Sequence, residues 1–276
     1  MEVVRQCEGR FEIHVGQPLT HEGGTHVFLA TRAHEDLVLK IGLNETDVTR
    51  EVYALNGFSG HGAIDVIDFD GALSALLLQR ARPGHPLSTI TDDRRATEIF
   101  GSVVQRLHPT LVTGDHESLQ EHCAAIGRYQ QTLTPAGPLP RSWLHRAVEY
   151  LNSLVSSTDH PVLLHGDLHH ANILRHQDEW VCIDPKGIIG DLHFEVIQYL
   201  LNHPNRQGDA DIVLARRMAM VTERLGLDAQ RIARWGVVKG VLDACWALDD
   251  GTDWHQGIDT AERFGRWLTL SGHSSW

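Results

Sequence analysis

The sequence predicts an α+β fold with two lobes, a small strand-rich N-terminal lobe and a larger helical C-terminal lobe. Over the first eighty residues, short apolar runs are separated by glycine-containing turns, which is typical of antiparallel strands. Beyond residue 84, apolar residues recur at helical spacing. Between these regions the segment RARPG (80–84) breaks both patterns and predicts a linker. We therefore expect a lobe over residues 1–80 and a second lobe over residues 81–276.

In the N-terminal lobe, strands should enclose a single helix. Strands are predicted at 11–15, 25–31, 36–41, 64–69 and 72–78, and the LTHEGGTH segment supplies the first hairpin turn. The helix is predicted over 47–56, with Thr46 or Asp47 as its N-cap. Its buried face is expected to carry three apolar residues at helical spacing: Val48, Val52 and Leu55.

The C-terminal lobe should be helical apart from two short strands. Helices are predicted at 92–107, 119–131, 140–156, 194–202, 209–225, 229–249 and 259–270. Two apolar strands, 162–165 and 180–183, flank a polar loop that extends to Asn172. We expect these two strands to lie side by side, so that the loop approaches the residues that follow the second strand.

Composition and charge exclude several classes of protein. Hydrophobic residues make up 42% and charged residues 22% of the chain, as in ordinary globular proteins. The net charge of -12 argues against nucleic acid or an anionic membrane surface as a partner. It suits a cationic small molecule, and the alternative is that the acidity only keeps the protein soluble. The four cysteines form no CxxC pair, which suits a reducing compartment. Without signal-peptide features or an apolar run of 18 residues, the expected location is the cytoplasm.

The segment VLLHGDLHHANILRHQDEWVCIDPKGIIG (162–190) concentrates the groups that suit phosphoryl transfer. Asp167 stands in the polar loop, Asn172 follows five residues later, and Asp184 comes directly after the second apolar strand. One carboxylate can accept the proton of a hydroxyl group, while an amide oxygen and a second carboxylate can hold a hard cation such as Mg²⁺. Phosphoryl transfer needs little more than this positioning and charge neutralisation.

The pattern H-G-D-x-x-x-x-N followed by I-D-P resembles the catalytic and metal loops of the protein-kinase-like aminoglycoside phosphotransferases. Its wording is most similar to the streptomycin 6-phosphotransferase and hydroxyurea phosphotransferase branch, over about 164–201. The resemblance implies a two-lobed protein-kinase-like fold and the use of ATP, with GTP as an alternative donor, together with Mg²⁺. It implies that Asp167 is the catalytic base and that Asn172 and Asp184 bind the metal.

The same resemblance implies a nucleotide site in the N-terminal lobe. Lys40 in the strand VLKI matches the lysine that contacts the phosphates, and Glu51 is its expected ion-pair partner, with Glu35 and Glu45 as alternatives. Gly23 and Gly24 take the place of a longer glycine-rich phosphate loop, although they also suit a plain hairpin turn. Gln79 and Ala81 fall where backbone groups of the family contact the base.

Several other residues near this segment admit more than one interpretation. His165, His169 and His170 flank Asp167, and a zinc hydrolase is the alternative that such a cluster suggests. Lys186 could contact the transferred phosphoryl group or face solvent. Asp191 and Glu195 are expected to hold the catalytic loop in place rather than to contact substrate. All the kinase motif residues are present, which disfavours a nucleotide-binding pseudokinase.

Near the C-terminus, an aromatic residue between two acids suggests a site for the substrate. Asp243, Trp246 and Asp250 lie at i, i+3 and i+7 of a predicted helix and so share one face. Such a face could clamp a guanidinium or ammonium group through ion pairs and cation–π contact, although a buried Trp beside a solvated helix end is the alternative. We expect a small-molecule O-phosphotransferase whose acceptor is an aminoglycoside such as streptomycin; a kinase of a non-antibiotic metabolite is the alternative.

Overall fold

The computed structural model describes residues 2–22, 25–108, 116–131, 138–202 and 209–270. The strands are β1 (His14–Glu22), β2 (Thr25–Arg32), β3 (Glu35–Ile41), β4 (Val66–Asp70), β5 (Ala75–Gln79), β6 (Pro83–Pro86), β7 (Glu117–Ser118), β8 (Val162–Leu164), β9 (Ile173–His176), β10 (Glu179–Cys182) and β11 (Ile188–Gly190). The helices are α1 (Glu2–Phe11), α2 (Glu45–Gly57), α3 (Asp93–Leu107), α4 (Leu119–His122), α5 (Ala124–Gln131), α6 (Arg141–Ser156), α7 (Leu192–Glu195), α8 (Ile197–Leu201), α9 (Ala210–Leu225), α10 (Ala229–Asp249) and α11 (His255–Leu270).

The chain forms two compact units, neither of which is continuous in sequence. The first unit comprises Met1–Ile90, Ser102–His116 and His165–Gly187, and the second comprises Thr91–Gly101, Glu117–Leu164 and Ile188–Trp276. The segment that carries Asp167, Asn172 and Asp184 therefore groups with the N-terminal strands. The predicted boundary at residue 80 divides the chain into two continuous lobes, whereas each of these units combines separate segments. The division at residue 80 stays a prediction.

A five-stranded antiparallel sheet, in the order β1-β2-β3-β5-β4, forms the main part of the first unit. Alternate residues of the central strands face its core, which contains Leu37, Leu39 and Leu77. β4 and β5 begin later than predicted, and a turn with Ser74 at φ 49° directly precedes β5. The sheet carries Lys40 on β3, one residue from the end of that strand.

The prediction that the chain begins with a strand at 11–15 is wrong. Residues 2–11 form α1, and β1 starts only at His14. The helix places Cys7 and Phe11 in the core of the sheet, where both are buried, and the chain then reverses at Glu12 with φ 54°. The alternation of apolar and polar residues in FEIHV therefore begins at the end of a helix and runs through a turn. The packing of Cys7 and Phe11 on the sheet decided the local structure.

Helix α2 has the face that the sequence predicted but a different cap. Val48, Val52 and Leu55 are all buried, which confirms the predicted face. The N-cap is Asn44, whose side chain accepts a hydrogen bond from the Asp47 N–H at 2.9 Å, so neither Thr46 nor Asp47 caps the helix. Glu51 lies on this helix and is buried.

The two strands that flank the polar loop with Asp167 do not pair with each other, contrary to the prediction. β8 pairs with β11 within the second unit, whereas β10 pairs with β9 in a hairpin within the first unit. β9 was not predicted, because the polar residues Arg175 and His176 make up half of this short strand. A tight turn at Gln177 joins β9 to β10. β6, which overlaps the end of the predicted linker, pairs with β9 and completes a three-stranded sheet.

The second unit is mainly helical, as predicted, with α10 at its centre. Most residues of α10 are buried, including Trp235, Val238 and Leu242. Gly240 of α10 and Gly257 of α11 lie so close that a Cβ atom on either one would stand about 2.5–2.6 Å from backbone atoms of the other helix. The predicted helices at 119–131 and 194–202 are each divided into two short helices. In the described part of the chain, no helix is both long and apolar enough to cross a bilayer.

Candidate active site

The loop between β8 and β9 holds Asp167 through backbone hydrogen bonds to a buried histidine. His165 Nε2 lies 2.8 Å from the Ile183 carbonyl oxygen, and its Nδ1 accepts from the Asp167 N–H at 3.3 Å. Burial lowers the pKa of His165 to about 4, so the ring is neutral at pH 7 and can donate from Nε2 while accepting at Nδ1. This histidine therefore shapes the loop and does not serve as a metal ligand.

Asn172 links the loop to the segment that carries Asp184. Its Nδ2 donates to the Asp167 carbonyl oxygen at 3.0 Å, which leaves the amide oxygen as the ligand that this side chain can offer. Its backbone carbonyl accepts from the Ile183 N–H at 3.0 Å, directly before Asp184. The sequence predicted that pairing of the two flanking strands would bring the loop close to Asp184. The two hydrogen bonds of Asn172 bring them together instead.

Lys40 contacts two carboxylates of the first unit. Its Nζ donates to Glu51 Oε2 at 2.6 Å and also to Asp184 Oδ1. Burial acts to lower the pKa of Lys40, but the Glu51 and Asp184 charges outweigh it and raise that pKa above its ordinary value. Burial acts to raise the pKa of Asp184, yet the charges of Lys40 and Lys186 lower it. Both groups are therefore ionised at neutral pH. Of the three expected partners, it is Glu51, rather than Glu35 or Glu45, that meets Lys40.

The donors around Asp184 suit a hard divalent cation. Asp184 offers a carboxylate and Asn172 an amide oxygen, the ligand types that Mg²⁺ takes from proteins when phosphate oxygens supply the rest. Within the described ranges, no group of three or more His, Cys, Asp or Glu side chains is arranged to hold a metal ion. A nitrogen-rich zinc site of the kind found in hydrolases is therefore not formed by these residues.

The structure places only some of the other residues that were expected to contact the nucleotide. Gly23 and Gly24 lie outside the described residues. Gln79 ends β5, and its backbone N–H donates to the Asp65 carbonyl oxygen at 2.9 Å; Ala81 follows beyond the end of that strand. Lys186 is exposed, and its backbone N–H donates to the His165 carbonyl oxygen at 2.7 Å. Its positive charge contributes to the lowered pKa of Asp184.

In the second unit, the expected cation clamp contains a cation of its own. Lys239 Nζ donates to Asp243 Oδ1 at 2.5 Å and lies 5.6 Å from the centroid of the Trp246 ring. The Lys239 side chain is only 8% exposed, so this pairing is part of the fold. Asp250 is exposed and follows the last turn of α10. Lys239 was not among the predicted site residues, although its i, i+4 spacing to Asp243 indicates such a pair.

Asp191 has a structural role, but its hydrogen bonds in the described part of the chain go to α7 and α10 and not to the Asp167 loop that it was expected to hold. Its carboxylate accepts from Trp235 Nε1 at 2.7 Å and from Arg231 Nε at 2.5 Å, and it caps α7 through the His193 N–H at 3.0 Å. Burial acts to raise its pKa, but the hydrogen bonds from His193 and Trp235 hold that pKa well below its usual range. Glu195 is buried beside it in α7.

Comparison with known proteins identifies relatives of this chain. Residues 16–251 match the family model described as aminoglycoside/hydroxyurea antibiotic resistance kinase. The streptomycin 6-kinase of Streptomyces griseus is 29% identical over 77% of this chain and 71% of its own length. The hydroxyurea phosphotransferase of Kitasatospora aureofaciens is 28% identical over 88% of this chain and 71% of its own.

Solved structures show the same fold. A thermostable mutant of aminoglycoside phosphotransferase APH(4)-Ia, in a ternary complex with ADP and hygromycin B, superposes with a TM-score of 0.71 at 16% identity over all of both chains. The choline kinase LicA from Streptococcus pneumoniae gives 0.71 at 14% identity over 98% of each chain. These likenesses confirm the predicted two-lobed, protein-kinase-like α+β fold. Because its family model covers most of its length, the chain belongs to the aminoglycoside/hydroxyurea antibiotic resistance kinases.

Proposed function

We propose that this kinase transfers the γ-phosphoryl group of ATP to a hydroxyl group of a cationic antibiotic, in a reaction that depends on Mg²⁺. The contact of Lys40 with Glu51 and Asp184 is the observation that carries the proposal. It joins the β3 lysine to the carboxylate that would hold the metal, and kinases need both groups in place for phosphoryl transfer. ATP is the proposed donor, and GTP is the alternative to test.

Each residue of the site has a distinct task in this proposal. Asp167 accepts the proton of the acceptor hydroxyl group while the oxygen of that hydroxyl group attacks the γ-phosphorus. Lys40 releases part of its contact with Asp184 to bind phosphate oxygens, while Glu51 keeps the ammonium group in place. Asn172 and Asp184 hold the cation through their oxygens. When bound, ATP would supply the phosphoryl group, and its Mg²⁺ ion would supply positive charge that neutralises the ADP phosphates as they leave.

A cationic acceptor of the streptomycin type is the substrate class that the chain supports best. The net charge of -12 attracts cations, and one of the relatives described above carries the name streptomycin 6-kinase. We propose Asp243, Trp246 and Asp250 as contacts for the cationic groups. Lys239 is then a competitor within the same patch, because a bound guanidinium group would share Asp243 with it.

The test is ADP release with ATP and Mg²⁺ across streptomycin, other aminoglycosides and hydroxyurea, with GTP as a second donor. The matched variant is Asp167→Asn, which keeps the side-chain shape and removes the base. Release that requires one of these acceptors and falls by roughly 10² or more in Asp167→Asn is the expected result. Release that survives Asp167→Asn would remove that residue as the base. ATP binding without release for any acceptor would favour a non-antibiotic acceptor or a pseudokinase.

A further inference from the structure

His169 stands beside the proposed catalytic base. Its Nε2 lies 3.8 Å from Asp167 Oδ1, and the two side chains are 18% and 26% exposed. The separation is longer than a hydrogen bond, and contacts of this kind commonly shorten when a substrate binds. Both ring nitrogens of His165, two residues before Asp167, face backbone groups. The Nε2 atom of His169 is instead placed to act on the carboxylate.

Backbone contacts select the tautomer of His169. The Ala171 N–H donates to His169 Nδ1 at 3.2 Å, so Nδ1 carries a lone pair and the ring proton of the neutral imidazole is on Nε2. The carbonyl oxygen of the same residue accepts from the Asn172 N–H at 3.0 Å, which fixes its backbone. These two bonds direct an N–H donor toward Asp167 Oδ1.

We propose that His169 is a positioning residue for the phosphoryl-transfer reaction: its Nε2–H holds Oδ1 of Asp167 and fixes the rotation of that carboxylate toward the acceptor hydroxyl. The inference rests on the proposed function, because it assigns a partner to the base of that reaction. The proton of the acceptor still goes to Asp167, and His169 keeps its own proton throughout. A contribution of this type raises the rate of the chemical step without adding to substrate affinity.

Kinetics of two substitutions separate this role from a structural one. His169→Ala should lower kcat by roughly tenfold or more while KM for streptomycin and ATP changes by less than about twofold. His169→Gln, whose amide can still donate, should return kcat to within about threefold of the unmodified protein. The exposed His145 on α6 provides a matched control, and His145→Gln should leave both constants unchanged. Equal kcat in the Ala and Gln variants, or a change in KM for ATP in place of kcat, would overturn the inference.

A measurement that does not depend on turnover tests the geometry itself. In the ¹⁵N spectrum of the full-length protein at pH 8, the His169 ring should carry its proton on Nε2, and Asp167→Asn should shift that nitrogen's resonance. A proton on Nδ1, or an Nε2 resonance that ignores Asp167→Asn, would contradict the inference even in an active enzyme. Should the unmodified protein phosphorylate no acceptor, the proposed function fails, and this spectrum still decides whether His169 holds Asp167.

Discussion

Lys40 and Asp184 lie 144 positions apart in the sequence, yet the Lys40 ammonium group donates a hydrogen bond to the Asp184 carboxylate while also holding Glu51. The Lys40 and Glu51 side chains are only 12% and 7% exposed, so both charges depend on each other for solvation. Breaking a buried pair leaves one charge uncompensated, which costs more than the pair itself contributes.

The first prediction concerns this buried pair. Lys40→Met should lower the free energy of unfolding by about 3 kcal/mol, because Glu51 then remains buried without its cation. The double variant Lys40→Met/Glu51→Gln should recover a good part of that loss, since the uncompensated carboxylate is gone. Urea denaturation of the three proteins measures the effect. Strictly additive losses would show that the two side chains are not coupled.

A second prediction tests the metal role of Asp184. The residue has φ 61°, a conformation that Asn tolerates well, so Asp184→Asn changes charge with little backbone strain. The unmodified protein should gain more thermal stability from ATP with Mg²⁺ than from ATP with EDTA, and Asp184→Asn should abolish that difference. The readout is Tm in each condition. A retained Mg²⁺ effect in the variant would place the cation on other ligands.

A third prediction asks whether Asp243 binds the acceptor. Lys239→Met preserves side-chain length but frees Asp243, so KM for streptomycin should fall roughly fivefold, equivalent to about 1 kcal/mol of ion-pair energy. KM for ATP should not change. Arg266→Met, which removes a charge paired with Asp211 on the surface, is the charge-matched control and should leave both constants alone. An unchanged or higher streptomycin KM in Lys239→Met would remove Asp243 from the proposed clamp.

The fourth prediction concerns the contact of α10 with α11. Gly240→Ala would put a Cβ atom 2.6 Å from the Gly257 carbonyl oxygen and the Ala261 backbone nitrogen, so the two helices must separate. We expect a loss of about 2 kcal/mol or more in the free energy of unfolding. Gly127→Ala in α5 meets no atom within 4 Å and should be neutral or gain up to about 1 kcal/mol. Comparable stability of the two variants in urea would contradict the close approach.

The fifth prediction is a dependence of stability on pH. Because the pKa of Asp191 is depressed in the folded state, the unfolded chain binds its proton first as the pH falls. The stabilisation from Asp191 is therefore complete above its ordinary pKa of about 4 and is lost as the pH falls below that value. Asp191→Asn should be less stable than the unmodified protein at pH 7, and the gap should narrow by pH 3.

Urea denaturation across that pH range provides the measurement, with the exposed Asp253 as a control. Asp253 also has a lowered pKa, from hydrogen bonds with His255, but it is fully exposed, so Asp253→Asn should produce a much smaller gap at every pH. A gap for Asp191→Asn that stays constant between pH 7 and pH 3 would show that ionisation of this carboxylate does not stabilise the fold.

The sequence by itself was enough to predict the kinase-like fold and to single out Lys40, Asp167, Asn172 and Asp184 as candidate site residues. Helical and strand periodicity is a local property of the chain, so it also placed the buried face of α2 and the helical character of the second unit. The loop that carries Asp167 could be recognised because Asp167, Asn172 and Asp184 all lie within residues 162–190. The roles of these residues remain predictions that the experiments above test.

Only the tertiary structure decided which distant groups meet. Residues 2–11 became a helix because Cys7 and Phe11 pack on the sheet, and no local pattern shows that surface. The hairpin of β9 with β10 and the hydrogen bonds of Asn172 replaced the expected strand pair. The pairing of Asp243 with Lys239 and the approach of His169 to Asp167 likewise depend on the directions in which side chains point. Periodicity fixes which face of an element is apolar, whereas the pairing of charges depends on packing between elements, which is a property of the whole fold.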